Sequence, residues 1–152
     1  RYDGVPREPI QRNPWNELEC GGHYARAMAS WSLVTALAGC CYDGPAQRFA
    51  FAPKLRPAQF KTLFTAAEGW GTFAQQAEAG RQRATIELGS GRLTLRTLEL
   101  AVTGETKVAK VAARVAGLNV PAKLDLKEQQ ARIQFASPLR LQSGEKLEIE
   151  LA

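Results

Sequence analysis

At 152 residues, with 45% hydrophobic and 23% charged residues, the chain has the make-up of an ordinary folded protein, which excludes a disordered or low-complexity segment. A net charge of +5 raises the question of a nucleic-acid partner, but residues 1–80 carry eight basic against seven acidic residues and residues 81–152 twelve against eight. That excess is thin and no basic run is interleaved with aromatics, so no nucleic-acid partner is expected.

The longest charge-free run, Ala27–Tyr42, has sixteen residues, short of the ~20 needed to cross a bilayer, so no transmembrane segment is expected. The sequence opens on Arg1 rather than Met and is expected to be a fragment or a processed product. Cys20, Cys40 and Cys41 make an odd set with no C-x-x-C spacing, and His23 is the only histidine. Neither a disulfide framework nor a structural metal is therefore expected. Unpaired thiols favour a cytoplasmic location, with a secreted or periplasmic one left open.

In chain order, the first element expected is a helix over HYARAMASWSLVTALA from His23, stopped by Gly39. Apolar residues surround it nearly all round, and its alanines and serines would let other helices approach closely, so it belongs in a larger helical assembly. CCYDGPAQ then reads as a turn, and RFAFAP as a short strand ended by Pro53. Residues 57–67 admit either a helix opened by Pro57 or a strand in which Phe60, Thr62 and Phe64 alternate. EGWGTFAQQ reads as an irregular turn leading into a strand.

The grammar changes near Ala79–Gly80 to a period of two. RATIEL and RLTLRTLELAV are expected to form a hairpin about Gly89-Ser90-Gly91. KVAKVAARVAG reads as a strand whose Ala and Lys also suit a helix. KLDLK, ARIQF, PLRL and KLEIEL follow, with Ser137-Pro138 separating the second and third. Six or seven strands in an antiparallel sandwich or curved sheet are expected over residues 80–152, after a first part, residues 1–79, that holds one helix and short strands.

The densest polar cluster is RNPWNELECGGHYAR, residues 12–26, with Trp15, Asn16, Glu17, Glu19, His23, Tyr24 and Arg26. Aromatic and polar groups at a helix mouth are what a sugar site uses, the ring stacking and the polar groups holding hydroxyls. A capping box of Asn16 with Glu19 explains the same residues structurally, and both readings stand. Glu17 and Arg26 are nine residues apart, so they can meet only if the helix starts after Glu17, near Gly21-Gly22, whereas an unbroken helix from Asn16 would instead line up Glu19, His23 and Arg26 on one face. Glu68 sits in the glycine-flanked EGWG string, where its carboxylate would brace a tight turn. Trp70 suits either a sugar platform or, more often, a core position. There is no G-x-S-x-G elbow, phosphate-binding glycine loop or dinucleotide fingerprint, so no cofactor is expected.

The strings NPWNELECGGHYARAM (13–28), YDGP (42–45), FAPKL (51–55) and FTAAEGWGTF (64–73), in this order and spacing, resemble the C-terminal region of glycoside hydrolase family 116. That family is the β-glucosidase and bile-acid β-glucosidase (non-lysosomal glucosylceramidase) group. The resemblance implies an α+β fragment in which the helix from His23 is the last of an (α/α)6 barrel, followed by closing strands and a β accessory region. It implies upstream barrel helices and an N-terminal β-sandwich as partners, and a β-glucoside as substrate. Glu17 and Arg26 are then substrate-binding, while Trp15, Asn16, His23, Glu68 and Trp70 are supporting candidates. Gly22 stands where many relatives carry Asp.

A retaining hydrolase needs two carboxylates ~5–5.5 Å apart, and the resemblance places both outside this sequence, so no catalytic residue is assigned here. The isolated chain is expected to be inactive. The alternative is a non-catalytic carbohydrate-binding or structural β-sandwich module, against which the scarcity of aromatics after Phe73 argues.

Overall fold

The computed structural model describes residues 23–104 and 108–152. These residues hold one helix, α1 (His23–Ala38), and ten strands. The chain divides between Ala36 and Leu37 into two units, and the second, Leu37–Ala152, holds all the described strands. No described helix is long and apolar enough to cross a membrane.

The helix ends where a glycine is required. Gly39 has φ +55°, and a Cβ there would stand 2.2 Å from the Ala52 carbonyl oxygen. The last turn's carbonyls are satisfied by the returning chain: Ala52 N donates to Ala38 O at 3.0 Å and Lys54 N to Leu37 O at 2.8 Å. The FAPKL segment thus serves as a backbone cap.

The strands are β1 (Cys41–Asp43), β2 (Arg48–Phe51), β3 (Gln59–Ala66), β4 (Gly69–Glu78), β5 (Arg81–Ala101), β6 (Val111–Val115), β7 (Leu118–Asn119), β8 (Ala122–Lys127), β9 (Gln130–Gln142) and β10 (Lys146–Leu151). They form two sheets sharing β5. Sheet A runs β1-β2-β5-β9-β8 and sheet B runs β3-β4-β5-β10-β6-β7. Every pairing is antiparallel except β2 with β5, which is parallel, so the expected antiparallel sheet is in fact mixed. The YDGP string makes the β1–β2 turn, tied by Gln47 N to Gly44 O at 3.0 Å and Ala46 N to the Asp43 carboxylate at 3.0 Å.

The residues left open between helix and strand form β3, because Phe60, Thr62 and Phe64 alternate toward the core as a pleated strand requires. The expected hairpin about Gly89-Ser90-Gly91 is not present. Residues 81–101 are one strand, whose first half pairs with β4 and β10 and whose second half pairs with β2 and β9. The glycines bend it from one sheet to the other instead of reversing it.

The true hairpin turn is Ala79–Gly80, where the sequence changes its grammar. Both residues have positive φ (50° and 76°), and Glu78 pairs with Arg81, which is the type I′ geometry that matches strand twist. ARIQF and PLRL are likewise one strand. Between Gln134, opposite Thr97, and Leu139, opposite Leu95, four residues have no register partner on β5, and Pro138, which has no N–H to donate, is one of them.

The two sheets meet through aromatic rings. Phe51 of sheet A stacks on Phe73 of sheet B with centroids 3.9 Å apart and an interplanar angle of 1°, and Phe49 meets Phe64 edge-on at 5.0 Å. Leu93, Leu95, Leu98 and Leu100 of β5, with Ile133, Leu141, Leu147, Ile149 and Leu151, complete a single buried core. Gln82, fully buried, donates to Ala101 O and accepts from Thr103 N, each at 2.9 Å, so the chain leaving β5 is pinned to the strand's start.

Candidate functional site

Trp15, Asn16 and Glu17 lie outside the described residues, as does the Gly21-Gly22 pair, so the expected Glu17–Arg26 arrangement is not placed. His23 and Arg26 fall within α1. Glu68 and Trp70 come together at the β3–β4 hairpin.

Steric necessity builds this corner. A Cβ on Gly69 would stand 2.6 Å from Ser90 O, and one on Gly71 would stand 2.1 Å from Glu87 O. On β5, Gly91 has φ +79°, and a Cβ there would reach within 2.1 Å of Glu68 O. The glycines therefore let the Ala67–Glu68 turn press directly on β5 as that strand bends. Arg92 N donates to Glu68 O at 3.0 Å, and the Arg92 guanidinium pairs with the Glu68 carboxylate. Glu68 does brace the turn, through a cross-strand arginine.

That partner sets the chemistry. The hydrogen bond and charge of Arg92 hold the Glu68 carboxyl below the usual carboxylate range. At neutral pH Glu68 is an acceptor and has no proton to give. It opens on a groove of about 330 Å³ lined also by Arg92, Thr94, Arg140 and Gln142. One ionised carboxylate among guanidinium, amide and hydroxyl groups can hold a polar ligand. It does not form the acid and nucleophile pair of a retaining hydrolase.

Trp70 is 54% exposed, so of the two positions the sequence leaves open for it, it does not take the core one. Its six-membered ring lies against Gly89 of β5, where a Cβ would stand 2.8–3.1 Å from three of its carbons. One face of the indole is thus backed by the strand.

Two features escaped the sequence. Arg92 lies 24 residues from Glu68, and only the β4–β5 register brings them together. Glu99, 8% exposed on the outer side of sheet A, is held by Arg48 at 3.1 Å, Arg132 at 3.6 Å and the Gln130 amide at 3.3 Å. No local signal separates it from the solvated charges around it. Among the described residues, no group of three or more His, Cys, Asp or Glu is placed to hold a metal.

The architecture so defined is a mixed, two-sheet β unit preceded by a helix. No family model matches the chain, and no curated protein matches it. Among solved structures, it is similar to an α-L-rhamnosidase from Dictyoglumus thermophilum, at 14% identity and a TM-score of 0.41, over 76% of this chain and 12% of that one. It is also similar to a GH127 β-L-arabinofuranosidase from Geobacillus stearothermophilus T6, at 15% identity and a TM-score of 0.42, over 87% of this chain and 19% of that one. The chain therefore spans less than a fifth of either structure's length.

Proposed function

We propose that the chain is the C-terminal part of a retaining β-glycoside hydrolase of the β-glucosidase or glucosylceramidase type. In this reading it contributes glucose contacts through Glu17 and Arg26, while the nucleophile and the acid/base lie on upstream segments. The observation that carries the proposal is the ordered set of strings over residues 13–73.

Three features of the fold support it. The FAPKL and EGWG strings do specific local work, in capping α1 and in pressing the β3–β4 turn onto β5, so they belong to one folded motif. On α1, Trp31 is 71% exposed, and Leu33, Val34 and Leu37 are exposed too. Apolar surface on that scale suits a helix with further helices to pack against, as the last member of an (α/α)6 barrel would have. The Glu68 groove, with its single ionised carboxylate, suits a region that binds without cleaving.

The test is the parent enzyme carrying Arg26→Lys. An ammonium lacks the forked donors of guanidinium, so KM for an aryl β-glucoside should rise about tenfold or more. Unchanged KM and kcat would remove Arg26 from the sugar site. The second reading, a non-catalytic β module, is favoured by one observation: Leu37–Ala152 encloses a complete core of its own. It would be preferred if the 152-residue chain bound a β-glucoside oligomer without any upstream segment.

A further inference from the structure

Charge is distributed differently on the outer faces of the two sheets. On sheet B three cations have carboxylate partners, Arg81 and Arg83 each 3.8 Å from Glu150 and Lys146 3.4 Å from Glu87, while Arg114 donates to the Asn119 side chain at 3.2 Å. On sheet A five arginines share two carboxylates. Arg48 and Arg132 hold Glu99, and Arg92 holds Glu68. Asp125 on the same face is engaged by Lys127 at 3.9 Å. Among the described residues, Arg96 and Arg140 have no carboxylate partner.

Each of these two arginines lines a groove. Arg140 faces the groove of about 330 Å³ with Arg92, Thr94, Gln142 and the Glu68 carboxylate, whose charge Arg92 takes up. Arg96 faces another of about 430 Å³ with Arg132, Gln134 and Ser137. Thr94 lies opposite Arg140 and Thr97 opposite Gln134, so the grooves follow one another along the β5–β9 seam. From Arg92 to Glu99 that seam is on the order of 20 Å long at the usual strand rise. An uncompensated guanidinium fork is pre-organised for a carboxylate, and the neighbouring amide and hydroxyl groups suit neutral oxygens between the charges.

We propose that the β5–β9 seam binds a chain of acidic sugars, with Arg96 and Arg140 taking uronate carboxylates and Gln134, Gln142 and Thr94 taking ring hydroxyls. A single-stranded nucleic acid would call for exposed aromatics on which its bases stack. The one ring lining these grooves, Phe135, is only 5% exposed. The proposal does not rest on the hydrolase reading.

The experiment titrates the 152-residue chain with a galacturonic-acid oligomer long enough to cover the seam, at low and at physiological salt. Binding is expected, weakening as salt rises. The double variant Arg96→Ala with Arg140→Ala should weaken it about tenfold or more, while Arg81→Ala with Arg83→Ala should leave it within about twofold. A neutral gluco-oligomer of equal length should bind about tenfold more weakly. Both seam arginines are exposed and unpaired, so the variant should keep the wild-type melting temperature. If it does not, the Arg→Gln pair gives the same reading. Absence of uronate binding would overturn the proposal. So would an equal loss in the Arg81 and Arg83 variant, or tighter binding of a single-stranded DNA oligomer than of the uronate chain.

Discussion

Phe51 and Phe73 are the closest ring contact between the sheets, 1% and 0% exposed, with centroids 3.9 Å apart and nearly parallel planes. Replacing either by leucine keeps the site apolar and removes the ring stack. Each single substitution is expected to cost roughly 1–3 kcal/mol, since a buried large-to-small change loses ring contacts and leaves a small cavity. The ring–ring interaction itself should be worth about 0.5–1.5 kcal/mol beyond area burial. The double variant should therefore lose less than the two single losses added together, by that amount. Urea unfolding of wild type, both singles and the double variant closes the cycle. Phe135→Leu supplies the control, because its ring contacts no other ring among the described residues. Combined with Phe73→Leu it should add without coupling. Additivity within about 0.3 kcal/mol for the Phe51–Phe73 pair would refute the sheet-on-sheet arrangement argued from that contact.

Two further outcomes follow from the same geometry. Burial, with the neighbouring Cys41 second, pushes the Cys40 thiol up from 9.0 to about 11. Alkylation followed by peptide mapping should find exposed Cys41 modified first at pH 8–9, with Cys40 catching up only as pH nears 11. Because the folded chain holds the Cys40 proton more tightly than the unfolded one, this contribution to stability is whole below pH 9 and is lost between 9 and about 11. Equal reactivity of the two thiols at pH 8 would contradict the half-buried setting of Cys40. Gly144→Ala, at φ +84° with open space around it, should cost about 1 kcal/mol from backbone strain alone. Gly91→Ala, at φ +79° and 2.1 Å from Glu68 O, should cost about 3 kcal/mol, and equal melting temperatures for the two would sink the account of the β5 bend.

Much of this fold is legible in local residue patterns. Gly39 as the helix stop, Pro53 beyond β2, the YDGP turn and the alternation of KLEIEL each follow from chemistry within a few residues. The bend at Gly89-Ser90-Gly91 is not legible, because glycine serves equally for reversing a chain and for letting one pass close to another. What decides between them is the Glu68 carbonyl, which the β3–β4 turn delivers from elsewhere in the sequence. The Ala79–Gly80 turn carries only one glycine, yet both its residues adopt the positive φ that the hairpin needs.

The parallel β2–β5 pairing is invisible for the same reason, since strand order depends on partners far along the chain. Glu68 was legible as a brace, but its arginine was not. Trp70 stands in a string that reads as a turn leading into a strand, where a core and an exposed position both fit, and it lies beside the register shift between Trp70 and Gly71. The string over residues 13–28, on which the proposed function leans most, falls mostly outside the described residues.

The central claim, that this chain supplies sugar contacts to a retaining β-glycosidase while its catalytic carboxylates lie elsewhere, has a direct test. The parent enzyme would be incubated with an activated 2-deoxy-2-fluoro-β-glucoside, which arrests a retaining enzyme at the covalent glycosyl intermediate, and the labelled peptide located by mass spectrometry. The account expects stoichiometric labelling of a carboxylate outside these 152 residues. Label on Glu17, Glu19 or Glu68 would contradict it.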